Sequence, residues 1–252
     1  LTLRLLYHLP LRGAEGFLRS LFRLMGCELV VPSFVTLSRR QASIPRHLGM
    51  EAAAQPRHIL IDSTGLKVFG EGEWKVRQHG TEQRRTWRKL HLAVDADSQE
   101  IVAVSLTDNA TGDATELPEL LLQIEGSIRR VTADGAYDTW ECRYQVVERG
   151  AEAIIPPRSN AVEKDAPEIE EVRARDAAVR QIAEEGSKTW KEESGYHRRS
   201  LVETAMFRVK RTFGGDMRAR EIQNQIGEAV LKSKILNRFI SEGMPRTVAE
   251  PT

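Results

Sequence analysis

Hydrophobic positions change their spacing near residue 58, and that change divides the chain. Before it, LRGAEGFLRSLFRLMG places Leu18, Leu21, Phe22 and Met25 at helical spacing, with Gly26 as a C-terminal stop. After Pro32 comes Ser33, a candidate N-cap, and a short helix ending in Arg39 and Arg40. Residues 50–57 (MEAAAQPR) read as a linker. From there the period shortens. HILIDSTGLKVFG is rich in β-branched residues and predicts a strand. Leu90, Leu92 and Val94 alternate, DADSQE turns the chain, and Ile101 to Leu106 return, which predicts a hairpin with Asp95 and Asp97 as turn formers.

The remainder alternates helix and strand. DATELPELLLQI predicts a helix with Asp113 and Glu116 at capping-box spacing, and RRVTADG a strand. DTWECRYQVVERG predicts a helix with a second such box, Asp138 and Glu141, closed by Gly150, and AEAIIPP a fifth strand. Residues 158–193 are polar and charged, and read as a mobile loop or solvated helices. GYHRRSLVETAMFRVKRTFGG is a strong helix, and 221–240 another. Three antiparallel strands, helix, strand, helix, strand, insertion and long helix is the order an RNase H-like α/β fold requires, a mixed sheet flanked by helices. The expected organisation is an all-helical, helix-turn-helix-like DNA-binding segment at 1–49 and a catalytic core at 58–240 with its insertion at 158–193.

Composition narrows the class. The chain has 252 residues, 40% hydrophobic and 29% charged, enough for one large domain with a small appendage. No apolar run approaches the ~18 residues of a membrane span. The leucine-rich opening carries Arg4, His8 and Pro10, which argues against a signal peptide. The chain starts at Leu1 inside a helical pattern, and a preceding segment is expected to be missing. Cys27 and Cys142 lack metal-site spacing and read as free buried thiols of a reducing cytoplasm.

Net charge is only +1, but the charge is segregated. Residues 75–89 hold Lys75, Arg77, Arg84, Arg85, Arg88 and Lys89 against Glu82 alone. Residues 196–220 hold seven basic residues against Glu203 and Asp216. Segregation of this kind is what a phosphate-binding face requires.

Two acids stand where chemistry is done. Asp62 follows the apolar ILI of the first strand, where a carboxylate is costly to bury without a partner or metal. Asp134 ends the strand VTAD, and the carboxyl ends of central strands line ligand sites. A helical wheel adds a third. Tyr196, Arg199, Glu203 and Lys210 fall within a stripe ~60° wide, beside an apolar face of Leu201, Val202, Ala205, Met206 and Val209. Pairing between Arg199 and Glu203 would explain part of that stripe, but not Tyr196 or Lys210.

Tyr196, two residues, Arg199, three residues, Glu203, six residues, Lys210 resembles the signature around the third acid of DDE insertion-sequence transposases of the IS-four and IS-five groups, closest to the IS-five type. IDSTGLK, WRKLHLAVD and TADGAYD resemble the family's other landmarks, and PLRGAEGFLRSLF with PSFVTLSRR resembles the segment before its core. The resemblance covers about residues 9–240. It implies metal-dependent hydrolysis at insertion-sequence ends and strand transfer into target DNA, with Asp62, Asp134 and Glu203 as catalytic residues and metal ligands. It implies two Mg²⁺ ions, replaceable by Mn²⁺, about 3.5–4 Å apart, clamping an in-line displacement at phosphorus. It also implies DNA contacts by Tyr196, Arg199 and Lys210, to which the basic runs add Lys75, Arg84, Arg85 and Lys89, and the short second helix Arg39 and Arg40. A homodimer on DNA at the bacterial nucleoid is expected. Two other readings use the same residues: an RNase H-like nuclease or resolvase without transfer, and a non-catalytic repressor or domesticated remnant that only binds DNA ends.

Overall fold

The centre of the molecule is β1 (Arg57–Val68), whose apolar start is buried on both faces: Ile59, Leu60 and Ile61 are each 0% exposed. Successive side chains of a strand point to opposite faces, and here each face meets its own core. Leu60 and Leu66 join Leu92, Val202, Met206, Phe213, Ile235 and Leu236 on one side. Ile59 and Ile61 join Leu117, Leu120, Cys142 and Val146 on the other. Each such Leu or Ile, fully removed from water, contributes ~1.5–3 kcal/mol. The computed structural model describes residues 1–68, 87–164, 166 and 168–243.

The other strands are β2 (Trp87–Asp95), β3 (Ile101–Asp108), β4 (Ile128–Thr132), β5 (Glu152–Ile154) and β6 (Asp216–Met217). Their order is β3-β2-β1-β4-β5, with β6 added to the end of β1. β1, β2 and β3 are antiparallel neighbours, whereas β4 and β5 run parallel to β1. The fold is thus α/β and RNase H-like, the mixed sheet anticipated from the order of elements. On one face lie α4 (Leu117–Leu122) and α5 (Trp140–Glu148); on the other lie α8 (Ser200–Phe213) and α9 (Ile222–Ser241). β6 was not foreseen, since two residues leave no periodicity to read.

Ahead of the sheet stand α1 (Thr2–Leu6), α2 (Leu11–Leu24) and α3 (Phe34–Ala42). Ser33 caps α3 as its position suggests, its Oγ accepting from the Thr36 N–H at 3.2 Å. The Glu15 carboxylate ties α2 to α3 by accepting from the Phe34 N–H at 2.7 Å. Leu5 and Leu48 enter the α8–α9 core, and Gly227 lets α9 approach Ile44 so closely that a Cβ there would stand 3.1 Å from it. Among the described residues no helix is long and apolar enough to cross a membrane.

Several local expectations need correction. The insertion forms α6 (Glu170–Glu185) and α7 (Ser187–Glu193), joined at Gly186 (φ +90°) and docked by Val172, Ala178 and Trp190 rather than solvated all round. Neither capping box closes. The Asp113–Glu116 stretch is a 3-10 turn without a side-chain cap, because Asp113 is engaged by Ser63 and Lys89, and Glu116 accepts from Ser105. α5 is capped by Thr139, while Asp138 is buried against Arg143. Asp95 does shape its turn by accepting from the Asp97 N–H, but Asp97 itself binds Arg129 and Arg198. Cys142 is buried; Cys27 is partly exposed.

Candidate active site

The parallel register brings two acids side by side. The β1–β4 ladder ends at Leu60↔Thr132. Two residues further along both strands stand Asp62 and Asp134, where β1 continues and β4 turns away. Asp134 caps the short turn Gly135–Tyr137, its Oδ1 accepting from the Ala136 N–H at 2.9 Å. Asp62 Oδ1 accepts from the Ser63 N–H at 2.8 Å.

Glu203 reaches the site from α8. Its side chain is 58% exposed, whereas that of Asp62 is 14% exposed, so the pair spans the boundary between core and solvent. Arg199 joins them: Nη2 stands 3.1 Å from Asp62 Oδ2 and Nη1 donates to Glu203 Oε1 at 2.5 Å. The guanidinium is therefore the present counter-ion of both acids. Burial raises the Asp62 pKa; Arg199 and the Ser63 N–H pull it down, and the charges of Asp134 and Glu203 push it further up. Burial alone would lower the Arg199 pKa, but Asp62, Tyr196, Glu203 and Asp134 together raise it.

The stripe read from the wheel is only partly continuous. Tyr196–Arg199 form a 3-10 turn, and α8 begins at Ser200. Tyr196 turns towards the insertion, its ring 5.7 Å from that of Trp190, within a cluster that includes Ile154. Burial pushes its hydroxyl pKa up. Lys210 lies close to β1, with Nζ donating to Thr64 Oγ1 at 2.6 Å, two residues beyond Asp62 and on the same strand face. Lys89 approaches from β2, its Nζ donating to the Thr111 carbonyl at 2.8 Å and standing 3.1 Å from Asp113. Arg39 and Arg40 are exposed at the end of α3, and no contact among the described residues brings them to the carboxylates. Lys75, Arg84 and Arg85 lie outside the described residues.

The donor set suits a hard divalent cation: three carboxylates, two of which raise the pKa of the third. Among the described residues no three acids, histidines or cysteines stand close enough to hold an ion as they are placed. Fit therefore requires the carboxylates to draw closer than they stand, with the guanidinium leaving Asp62. Ser63, Asp113 and Tyr137 also border the site and were missed as such. The only hint in the sequence was Ser63, adjacent to Asp62.

A family model described as a transposase DDE domain matches residues 53–237, a span that holds Asp62, Asp134 and Glu203. A second model with the same description matches residues 1–71. Among solved structures, the cryo-EM structure of the piggyBac transposase synaptic complex with hairpin DNA aligns with 77% of this chain at 11% identity and a TM-score of 0.39. The chain spans 50% of the length of that protein.

Proposed function

We propose, since the chain belongs to the transposase DDE domain family, that it is a DNA transposase whose chemistry is carried by Asp62, Asp134 and Glu203. The observation that carries this reading is that Arg199 joins Asp62 to Glu203 while the β1–β4 register carries Asp62 and Asp134 out along neighbouring strands. The reaction is a phosphodiester hydrolysis at an element's ends. A water oxygen bonds to phosphorus, the bond to the 3′ oxygen breaks, and a free 3′-hydroxyl remains. That hydroxyl then displaces the 3′ oxygen of a target phosphodiester. The Tyr196–Arg199–Glu203–Lys210 spacing supports the IS-four/IS-five type.

Asp62, Asp134 and Glu203 would hold Mg²⁺, with Mn²⁺ as a substitute; such ions supply charge that makes the attacking oxygen a better nucleophile and the leaving oxygen a better leaving group. The chain's own residues do the placing. Arg199, released from Asp62, is free to bind a phosphate in a two-pronged grip. Lys210 offers a point charge to a neighbouring phosphate. Tyr196 presents a ring and a hydroxyl at the rim, against a base or phosphate. The helical pair α2–α3, with Arg39 and Arg40 exposed, is the candidate reader of the element's ends. Two ends must meet for transposition, so the working form on DNA is a homodimer. It acts at the bacterial nucleoid, in the cytoplasm.

Asp62→Asn keeps the shape of the side chain and removes its charge. It should leave DNA binding intact, measured by mobility shift on end-containing duplexes, and abolish cleavage of the same duplexes. Cleavage that survives the substitution sinks the assignment.

A further inference from the structure

The turn that carries Arg199 has little apolar surface to hold it down. None of the residues Tyr196–Arg199 is buried. Gly195 ahead of them bends the chain at φ +71°, and Tyr196 packs on Trp190 of the insertion. No buried apolar side chain of the turn seats it on β1, so polar contacts must.

Arg198 supplies them. Its Nη2 donates to the Ala96 carbonyl at 2.8 Å and to Asp97 Oδ1 at 2.8 Å, and its Nη1 stands 3.4 Å from His58 Nδ1. Asp97 is exposed, where an ion pair contributes little. His58 is buried on β1, and its Nε2 lies 2.9 Å from Thr132 Oγ1 on β4. A guanidinium can only donate, so Nδ1 accepts. In a neutral imidazole Nε2 then carries the proton and donates to Thr132. The ring is neutral at ordinary pH: burial, and then the charges of Arg198, Arg130 and Arg129 against that of Asp97, lower its pKa to about 4. Thr132 thereby fixes the tautomer that Arg198 needs.

We propose that His58 and Arg198 are positioning residues of the carboxylate site: they seat the 196–199 turn on β1 and so hold Arg199 against Asp62 and Glu203. The inference rests on the reading of Asp62 and Glu203 as cation ligands. Arg198 and Arg199 are neighbours in one turn. The first reaches the start of β1 at His58, and the second reaches Asp62 four residues along the same strand. The Arg199 guanidinium occupies the acids that a cation needs, and a ligand's apparent affinity falls with the fraction of protein competent to bind it. Whatever keeps Arg199 seated therefore weakens cation binding in the absence of DNA.

The test titrates Mn²⁺ into the whole chain without DNA, for His58→Gln, His58→Asn and Arg198→Ala. The glutamine amide stands where Nε2 stood and keeps the Thr132 contact. The asparagine amide stands where Nδ1 stood and keeps the Arg198 contact. His58→Gln should bind Mn²⁺ about two- to tenfold more tightly than the parent, the worth of one hydrogen bond. Arg198→Ala should gain at least as much, and His58→Asn should match the parent. A merely structural role predicts the opposite sign, since damage to the fold spoils the ligands. Added to Arg199→Gln, neither His58→Gln nor Arg198→Ala should change Mn²⁺ binding, because both act through Arg199. Binding that is unchanged or weaker in the parent background overturns the proposal. So does tightening that survives on Arg199→Gln, or an asparagine that behaves like the glutamine. If Arg198→Ala unfolds, the two His58 substitutions carry the test. An Asp62→Asn chain that binds Mn²⁺ like the parent sinks the cation reading instead. The guanidinium N–H resonances of Arg199 then decide the seat: separate in the parent, where two acids hinder rotation, and averaged in Arg198→Ala and His58→Gln. Resonances that stay separate in both overturn it.

Discussion

Arg199 neutralises two acids that would otherwise repel each other, and its removal should expose that repulsion. Its side chain is 17% exposed and that of Asp62 14%, so the pair is only partly screened. Arg199→Gln leaves Asp62 half-buried beside two like charges, which should cost about 1–3 kcal/mol in chelating buffer. The cost depends on pH in a definite direction. With its counter-ion gone, Asp62 titrates still further above the unfolded carboxylate value, so the folded state holds its proton longer than the unfolded chain does. The deficit is therefore absent below the unfolded carboxylate pKa, grows as pH rises towards the folded one, and is complete above it. A divalent cation restores the missing charge, so Mn²⁺ should raise the melting temperature of Arg199→Gln more than that of the parent chain. An equal rise in both would mean that the guanidinium does not stand where the cation goes. The pairing of this arginine with Glu203 was legible from helical spacing, but its bond to Asp62 was not, since that contact joins residues on two elements far apart in the chain.

Elements were more legible than their ends. The alternation in 90–94 and the apolar ILI of β1 depend on short-range period and needed only a buried sheet to express them. Caps depend on which tertiary partner claims a side chain first. Asp138 looks like the cap of α5 in sequence, but its carboxylate is 2% exposed, accepts from Arg143 Nε at 2.9 Å and from the Arg158 N–H at 3.1 Å, and lies 3.4 Å from Arg175. Thr139 takes the cap instead. Two substitutions separate these roles. Thr139→Ala should cost about 1 kcal/mol, the ordinary worth of a cap. Asp138→Ala strands the buried Arg143 charge and should cost ~3–5 kcal/mol in urea unfolding. Similar values for the two would return Asp138 to the capping role. Because Arg175 belongs to α6, the same carboxylate also fastens the insertion to the core, and its loss should loosen α6 ahead of α5 in hydrogen exchange.

At the scale of the whole molecule, segregated charge is not the same as available charge. Within the second basic run, Arg198 is met by Asp97 at 2.8 Å and donates to the Ala96 carbonyl, Arg208 donates to Gln99, and Arg218 to the His8 carbonyl. In the first run Arg88 donates to Gln225 and Lys89 stands against Asp113. Among the described residues, much of the pattern that suggests a phosphate-binding face therefore braces the fold, which a count of charges along a sequence has no means of separating. Lys210 differs. Among the described residues its one acceptor is the Thr64 hydroxyl, a neutral group that does not compensate its charge, and the residue is exposed. Binding to DNA releases about 0.9 counterion per phosphate neutralised, so each working cation leaves its mark on the salt dependence of affinity. Lys210→Ala should lower the slope of log affinity against log salt by about one while changing stability little. Arg198→Ala should do the reverse, leaving the slope intact and lowering the melting temperature as the 196–199 turn loses its hold on the β2–β3 turn. If both substitutions flatten the slope equally, Arg198 leaves Asp97 on binding and the 196–199 turn moves with it. If neither does, DNA does not lie along α8, and the placement of Lys210 beside the carboxylates serves the fold alone.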